Sequence, residues 1–283
     1  MRLAAFLAAL LLAVPAAADP WPSGGTSLGG GHEFANGAGG KSRVYKFGFH
    51  TDIDDDEESV WEGATVPALD GGPDRCPQDT SAFTLNISSD AAGDTEDIVV
   101  EGLDANWDAV SETVTLAGLT YTQVGTASNW MRVNRAYNVG TADLVGVVYL
   151  HDDAVDVAVA DGIPDIPATQ TKAVINAAEN QTLQSCYTVP DGWTANVTAI
   201  SLAALVGGAG NAVDFRLRLT KPTGVGRVQL LSSLGNSDSY VETFNPPLPY
   251  VARDMLELTA ITAAANSNAN VSGTFNLALF PTE

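Results

Sequence analysis

Residues 95–137 read TEDIVVEGLDANWDAVSETVTLAGLTYTQVGTASNWMRVNRAY. Ile98, Val99 and Val100 make a β-branched run that stops at the GLDAN of 102–106. Val110, Glu112, Val114 and Leu116 then alternate with Ser111, Thr113 and Thr115. Successive side chains of a strand point to opposite faces. Alternation bounded by Asp, Asn and Gly therefore marks strands with one buried face. Ala117 and Gly118 turn the chain, and two more runs pass through Val124 and 131–133. The stretch is an antiparallel meander, and the fold it imposes is all-β.

The same grammar fills the rest of the chain. Residues 44–49 (VYKFGF) alternate, and 82–88 set Phe83, Leu85 and Ile87 on one face. Residues 144–150 are more continuously apolar. Farther on, Val213, Phe215, Leu217 and Leu219 share a face, as do Val271, Phe275, Leu277 and Leu279. These two faces are expected to form one core. Residues 245–249 (NPPLP) read as a rigid connector. No helix is expected, apart from weak candidates at 177–183 and 260–265. Closely spaced prolines at 164 and 167 break ladders and helices alike, so the chain divides there. The expected architecture is two antiparallel β-sandwiches of jelly-roll or immunoglobulin-like type, 44–162 and 168–283. Residues 19–43, rich in Gly, Ser, Pro and Asn, read as a flexible arm suited to threading along a neighbour.

Charge narrows the function classes. The 34 acidic and 13 basic residues give a net charge of −21. Such a surface repels phosphate backbones, so nucleic acid is excluded as a partner. Residues 1–18 (MRLAAFLAALLLAVPAAA) carry one Arg, an apolar run and a small-residue site. This pattern matches a secretory signal cleaved after Ala18. An uncleaved apolar arm packed in an assembly is the other reading. The run is too short to span a membrane, and no later stretch qualifies. The only cysteines, Cys76 and Cys186, would bridge if the chain is exported to an oxidising compartment. Otherwise they are two thiols, one in a loop and one in a strand.

Few residues suggest chemistry. Asp52, Asp54 and Asp56 stand at the first three ligand spacings of a calcium loop, but Glu57 replaces the required glycine and Gly63 the twelfth-position Glu. An irregular calcium site is the functional reading, and a hydrated charge run is the bland one. His32, His50 and His151 have no zinc spacing. Asp152, Asp153 and Asp156 cluster beside His151, but acidic loops are common in so acidic a chain. Trp61, Trp107, Trp130 and Trp193 lie at turns or strand ends, where tryptophans more often plug a core than stack on sugars. Arg132, Arg135, Arg216 and Arg218 pair across a subunit interface or, more simply, within the chain.

Several strings carry a resemblance: VWEG (60–63) after the acidic loop, NISSDAAGDT (86–95), VVEGLDANWDAVSETVTLAG (99–118), MRVNRAY (131–137) and AAENQTLQSCYTVPDGWTANVT (177–198). In this order they resemble virion structural proteins of marine tailed bacteriophages, over roughly 52–280. The resemblance implies a non-enzymatic capsid decoration or fibre-type protein located in the virion. It would self-associate, as a homotrimer, and contact other capsid or virion proteins without a cofactor. No functional residue carries over. The signal-like segment, the 71–79 insertion with Cys76, and Cys186 depart from the pattern. The signal-like segment favours the alternative, an exported bacterial surface or periplasmic module that binds carbohydrate or divalent cations.

Overall fold

The computed structural model describes residues 42–65, 75–125, 129–152, 161–164, 170–206, 212–224, 226–262 and 269–282. The signal-like segment 1–18, the arm up to residue 41, and most of the proline break lie outside them. The arm's expected last residues, Ser42 and Arg43, already belong to a strand.

Four antiparallel sheets make two sandwiches. The first sheet orders β1 (Ser42–Ile53), β16 (Ala269–Pro281), β11 (Trp193–Val206) and β14 (Asp238–Tyr250). The second orders β10 (Cys186–Thr188), β15 (Met255–Thr262), β12 (Val213–Thr220) and β13 (Gly226–Leu234), with β2 (Glu58–Ser59) also on β15. Between them lies a core that includes Val44, Val197, Leu202, Phe215, Leu258 and Phe275. The third sheet orders β6 (Thr122–Gln123), β3 (Asn86–Ser89), β8 (Val148–His151) and β9 (Thr171–Ile175). The fourth orders β5 (Ala109–Thr115), β4 (Asp97–Asp104) and β7 (Trp130–Asn138). Leu85, Ile98, Val100, Trp130, Leu150 and Ile175 share the core between these two.

The faces read from alternation are the buried ones. Val213, Phe215, Leu217, Phe275, Leu277 and Leu279 are all buried in the first core, and Leu219 packs partly against it. Each large side chain so buried contributes about 1.5–3 kcal/mol.

The division of the chain differs from the expected one. β1 pairs with β16, and β2 with β15, so the start of the chain completes the sandwich built by its end. Strands β3 to β9 form a sandwich inserted between β2 and β10. All of it, from Ser42 on, lies in one compact unit. Alternation tells which residues face a core but not which core, and that choice is made by long-range pairing. The expected connector at 245–249 is also strand. β14 runs through Pro246, Pro247 and Pro249, which is tolerated because it is an edge. Among the described residues helical structure is confined to a 3-10 turn, Glu62–Thr65, and to Gln170 just before β9.

Candidate functional site

The acidic loop joins β1 to β2 and is closed by its own bonds. The Asp56 N–H donates to Asp54 Oδ1 (2.8 Å), and Thr262 N–H donates to the Asp54 carbonyl (2.7 Å). Glu57 turns toward the sheet. Its carboxylate accepts from Arg216 (2.7 Å), Arg218 (2.7 Å) and the Thr259 hydroxyl (2.6 Å). Burial raises the Glu57 carboxyl, but Thr259 and the two guanidinium groups outweigh it and hold it at about 2. Arg216 and Arg218 therefore pair within the chain.

Asp52, Asp54 and Asp56 are not gathered into a ligand set. Among the described residues the one trio of ligand atoms within 4.8 Å of one another is Cys76, Cys186 and Glu257. A calcium loop needs a sharp glycine turn to wrap its side chains around one point. Glu57 occupies that position and is drawn to arginines instead.

Cys76 and Cys186 are brought together as a disulfide, with Cα atoms 6.6 Å apart. Glu257 lies opposite Cys186 in the ladder. Its carboxylate accepts from Arg75 Nε (2.8 Å), the Cys76 N–H (3.2 Å) and the Ser59 hydroxyl. The trio is a covalent staple whose carboxylate is already engaged, rather than a set of open ligands.

A polar seam joins the two sandwiches. Lys46 on β1 is buried, and its Nζ donates to the main-chain carbonyl of Asn134 on β7. The Asn134 side chain mimics a strand partner: Oδ1 accepts Thr188 N–H (3.0 Å) and Nδ2 donates to the Thr188 carbonyl (3.2 Å). Gln184 Nε2 donates to the same Asn134 carbonyl (3.0 Å). Burial pulls the Lys46 ammonium down to about 7, Arg135 adds to this, and Glu101 opposes it. Burial pushes the Glu101 carboxyl up. Burial also pushes Glu62 up to about 8, with Glu179 adding to the shift. A cavity of about 20 Å³ lies on this seam beside Asn134, Lys172 and Cys186. That is room for a single water.

The remaining titratable candidates also hold the fold. Lys172 pairs with Asp79 (2.7 Å) and Asp152 (3.0 Å). Asp153 and Asp156 lie outside the described residues. Ser88 Oγ donates to the Gly162 carbonyl (2.8 Å) and lies 3.1 Å from His151 Nε2. A hydroxyl has one proton, so the imidazole must be the donor in that contact. Its polarity is the reverse of a nucleophile with its base, and both residues are fully buried. His50 is buried too. Its Nδ1 accepts Asp52 N–H (3.1 Å), and burial draws it down to about 4. Trp61 and Trp130 are core residues. Trp193 packs on the first core, and Arg132 and Arg253 both approach the Trp107 ring.

The sequence reading missed Glu57, Glu257 and the Lys46–Asn134 contact. For Lys46 a signal existed: it stands at an inward position of an alternating strand, between Val44 and Gly48. For Glu257 the alternating run of β15 gave none.

One margin of the first sandwich is open. Among the described residues, β13 pairs only with β12, and β14 only with β11. Val228 (51%), Leu230 (60%) and Val241 (70%) are exposed along these two edges. A groove of about 320 Å³ between them is floored by Leu217, Leu219, Leu248 and Tyr250.

No protein-family model and no curated protein matches the chain. Some solved structures are loosely similar. The crystal structure of the infectious bursal disease virus VP2 subviral particle covers 86% of this chain and 81% of that chain, at 11% identity and a TM-score of 0.20. The structure of the Gx strain of that virus covers 84% and 72%, at 8% identity and a TM-score of 0.21. For the Gt strain the values are 85%, 80%, 9% and 0.20. These neighbours are viral, and superpositions this loose do not define a shared fold.

Proposed function

We propose that this chain is a non-enzymatic structural protein of a virion, a capsid-surface decoration or fibre component that works by assembling with copies of itself and with other capsid proteins. One observation carries the reading. Among the described residues, the buried side chains capable of chemistry discussed above are engaged in holding the fold, while the exposed apolar residues Val228, Leu230 and Val241 line two strand edges with no strand partner. Glu57, Glu257, Lys46, Asn134, Ser88 and His151 are all tied to internal partners. An unpaired edge is a template for another chain. The resemblance of the hairpin strings to tailed-phage virion proteins points the same way. Three copies is the assembly expected at a capsid-surface position.

The Cys76–Cys186 disulfide favours a second reading, an exported surface or periplasmic module, because such bonds persist in oxidising compartments. Peptide mass spectrometry of gradient-purified particles and of the periplasmic fraction separates the two. The first reading expects the chain in the particle at a fixed ratio to the major capsid protein. Recovery from the periplasm alone contradicts it.

A further inference from the structure

We infer that the chain self-associates head to tail through its open margin, β13 of one copy adding to β14 of the next. This inference rests on the self-assembly reading above and names its surface. The partner is a second copy because the two edges complement each other and not themselves. Between Asp214 and Asp238 the chain carries Arg216, Arg218, Lys221 and Arg227 and no carboxylate. Glu57 bridges Arg216 and Arg218 and offsets one of their two charges, and Arg227 is exposed on β13, so this margin keeps a basic lip. β14 begins with Asp238 and Glu242 and has no basic residue. On a chain of net charge −21, this is a stretch that an equally acidic copy can approach.

Prolines fix where pairing can occur. Pro246, Pro247 and Pro249 lack the N–H a ladder needs, so only the first half of β14 is open to a partner. That leaves 239–243 to meet 226–230. One antiparallel register satisfies apolar contact, charge and facing together, with Val228 opposite Val241 of the next copy. Val228 shares a face with Arg218, and Val241 with Ser201, on the outer sides of their sheets. Outer face then continues into outer face across the joint. The same register sets Arg227 opposite Glu242. Arg227 lies opposite Leu219 and Glu242 opposite Ile200, so both are on inner faces, at the lip of the groove. Opposite charges and β-branched pairs facing each other across strands stabilise a ladder. Each copy uses one edge for each neighbour, so the contact is heterologous, the kind that builds a ring when the rotation between copies closes and a filament when it does not.

Engineered cysteines and a charge swap test this on the full chain. The native cysteines are joined to each other and do not interfere. The double variant Val228→Cys/Val241→Cys should crosslink copies into a ladder of multimers, and Val228→Cys alone should not crosslink. Arg227→Glu should shift the solution mass to the monomer, and Arg227→Glu/Glu242→Arg should restore the oligomer. Unchanged melting curves would show that these substitutions leave the fold intact. Crosslinking of Val228→Cys to itself means a two-fold edge contact and overturns the inference. An oligomer unaffected by Arg227→Glu overturns it too, while leaving self-assembly standing. A monomeric wild-type chain contradicts both.

Discussion

Gly48 lies directly opposite Gly273, where the first strand pairs with the last. A Cβ at position 48 would overlap the Val60 carbonyl and the Ser185 amide. Those two groups are hydrogen-bonded to each other at 3.0 Å, as the chain enters and leaves the inserted sandwich. The glycine pair lets the linking segments cross close over the β1–β16 ladder. Gly48→Ala should therefore destabilise by well over the about 1 kcal/mol of an average substitution, since backbone has to move. Thermal unfolding checks it, and an unchanged midpoint would place the crossing elsewhere.

Phe275 is fully buried in the first core, between β11 and β1. Phe275→Ala removes a large side chain that its rigid neighbours cannot replace. The expected loss is roughly 3–5 kcal/mol by denaturant unfolding.

Two buried groups give opposite pH dependences. Between about 4 and its ordinary 6.5, the unfolded chain protonates His50 and the folded chain does not. Stability should fall as pH drops through that window. Between its ordinary 4.5 and about 8, folded Glu62 keeps a proton that the unfolded chain has released. Its contribution should be lost as pH rises through that window. Glu62→Gln should flatten the alkaline side of the stability profile, and His50→Gln the acidic side. A Glu62→Gln profile parallel to the wild type would show that Glu62 titrates normally.

The disulfide closes a loop with a sequence separation of 110. In the chain-entropy account such a crosslink contributes roughly 4–5 kcal/mol. Reduction, or Cys186→Ser, should lower the melting midpoint, and protein made under oxidising conditions should resist alkylation until reduced. Both thiols reacting without reductant would contradict the bond.

What the sequence made legible is what period-2 patterning encodes. Phe215 with Leu217, and Phe275 with Leu277, could each be assigned to a buried face from their spacing alone. The pairing of Val44 with Leu277 could not, because nothing local in either strand names its partner. The inserted arrangement of the sandwiches was lost for the same reason. The calcium-like spacing of Asp52, Asp54 and Asp56 misled because spacing fixes ligand order and not chain curvature. Glu57, in the same loop, is held by arginines 159 and 161 residues away. Such a bond is visible only once the fold has brought the strands together. The proline run in β14 misled as well, since a ladder-breaking residue is harmless on a free edge.

The central claim is that this chain works by assembling with copies of itself, and its solution mass tests that most directly. Light scattering on the purified chain should give a whole multiple of the chain mass, three for the ring expected at a capsid surface, that dissociates on Arg227→Glu. A strictly monomeric chain at every concentration, above all one that hydrolyses a polysaccharide, would contradict the account.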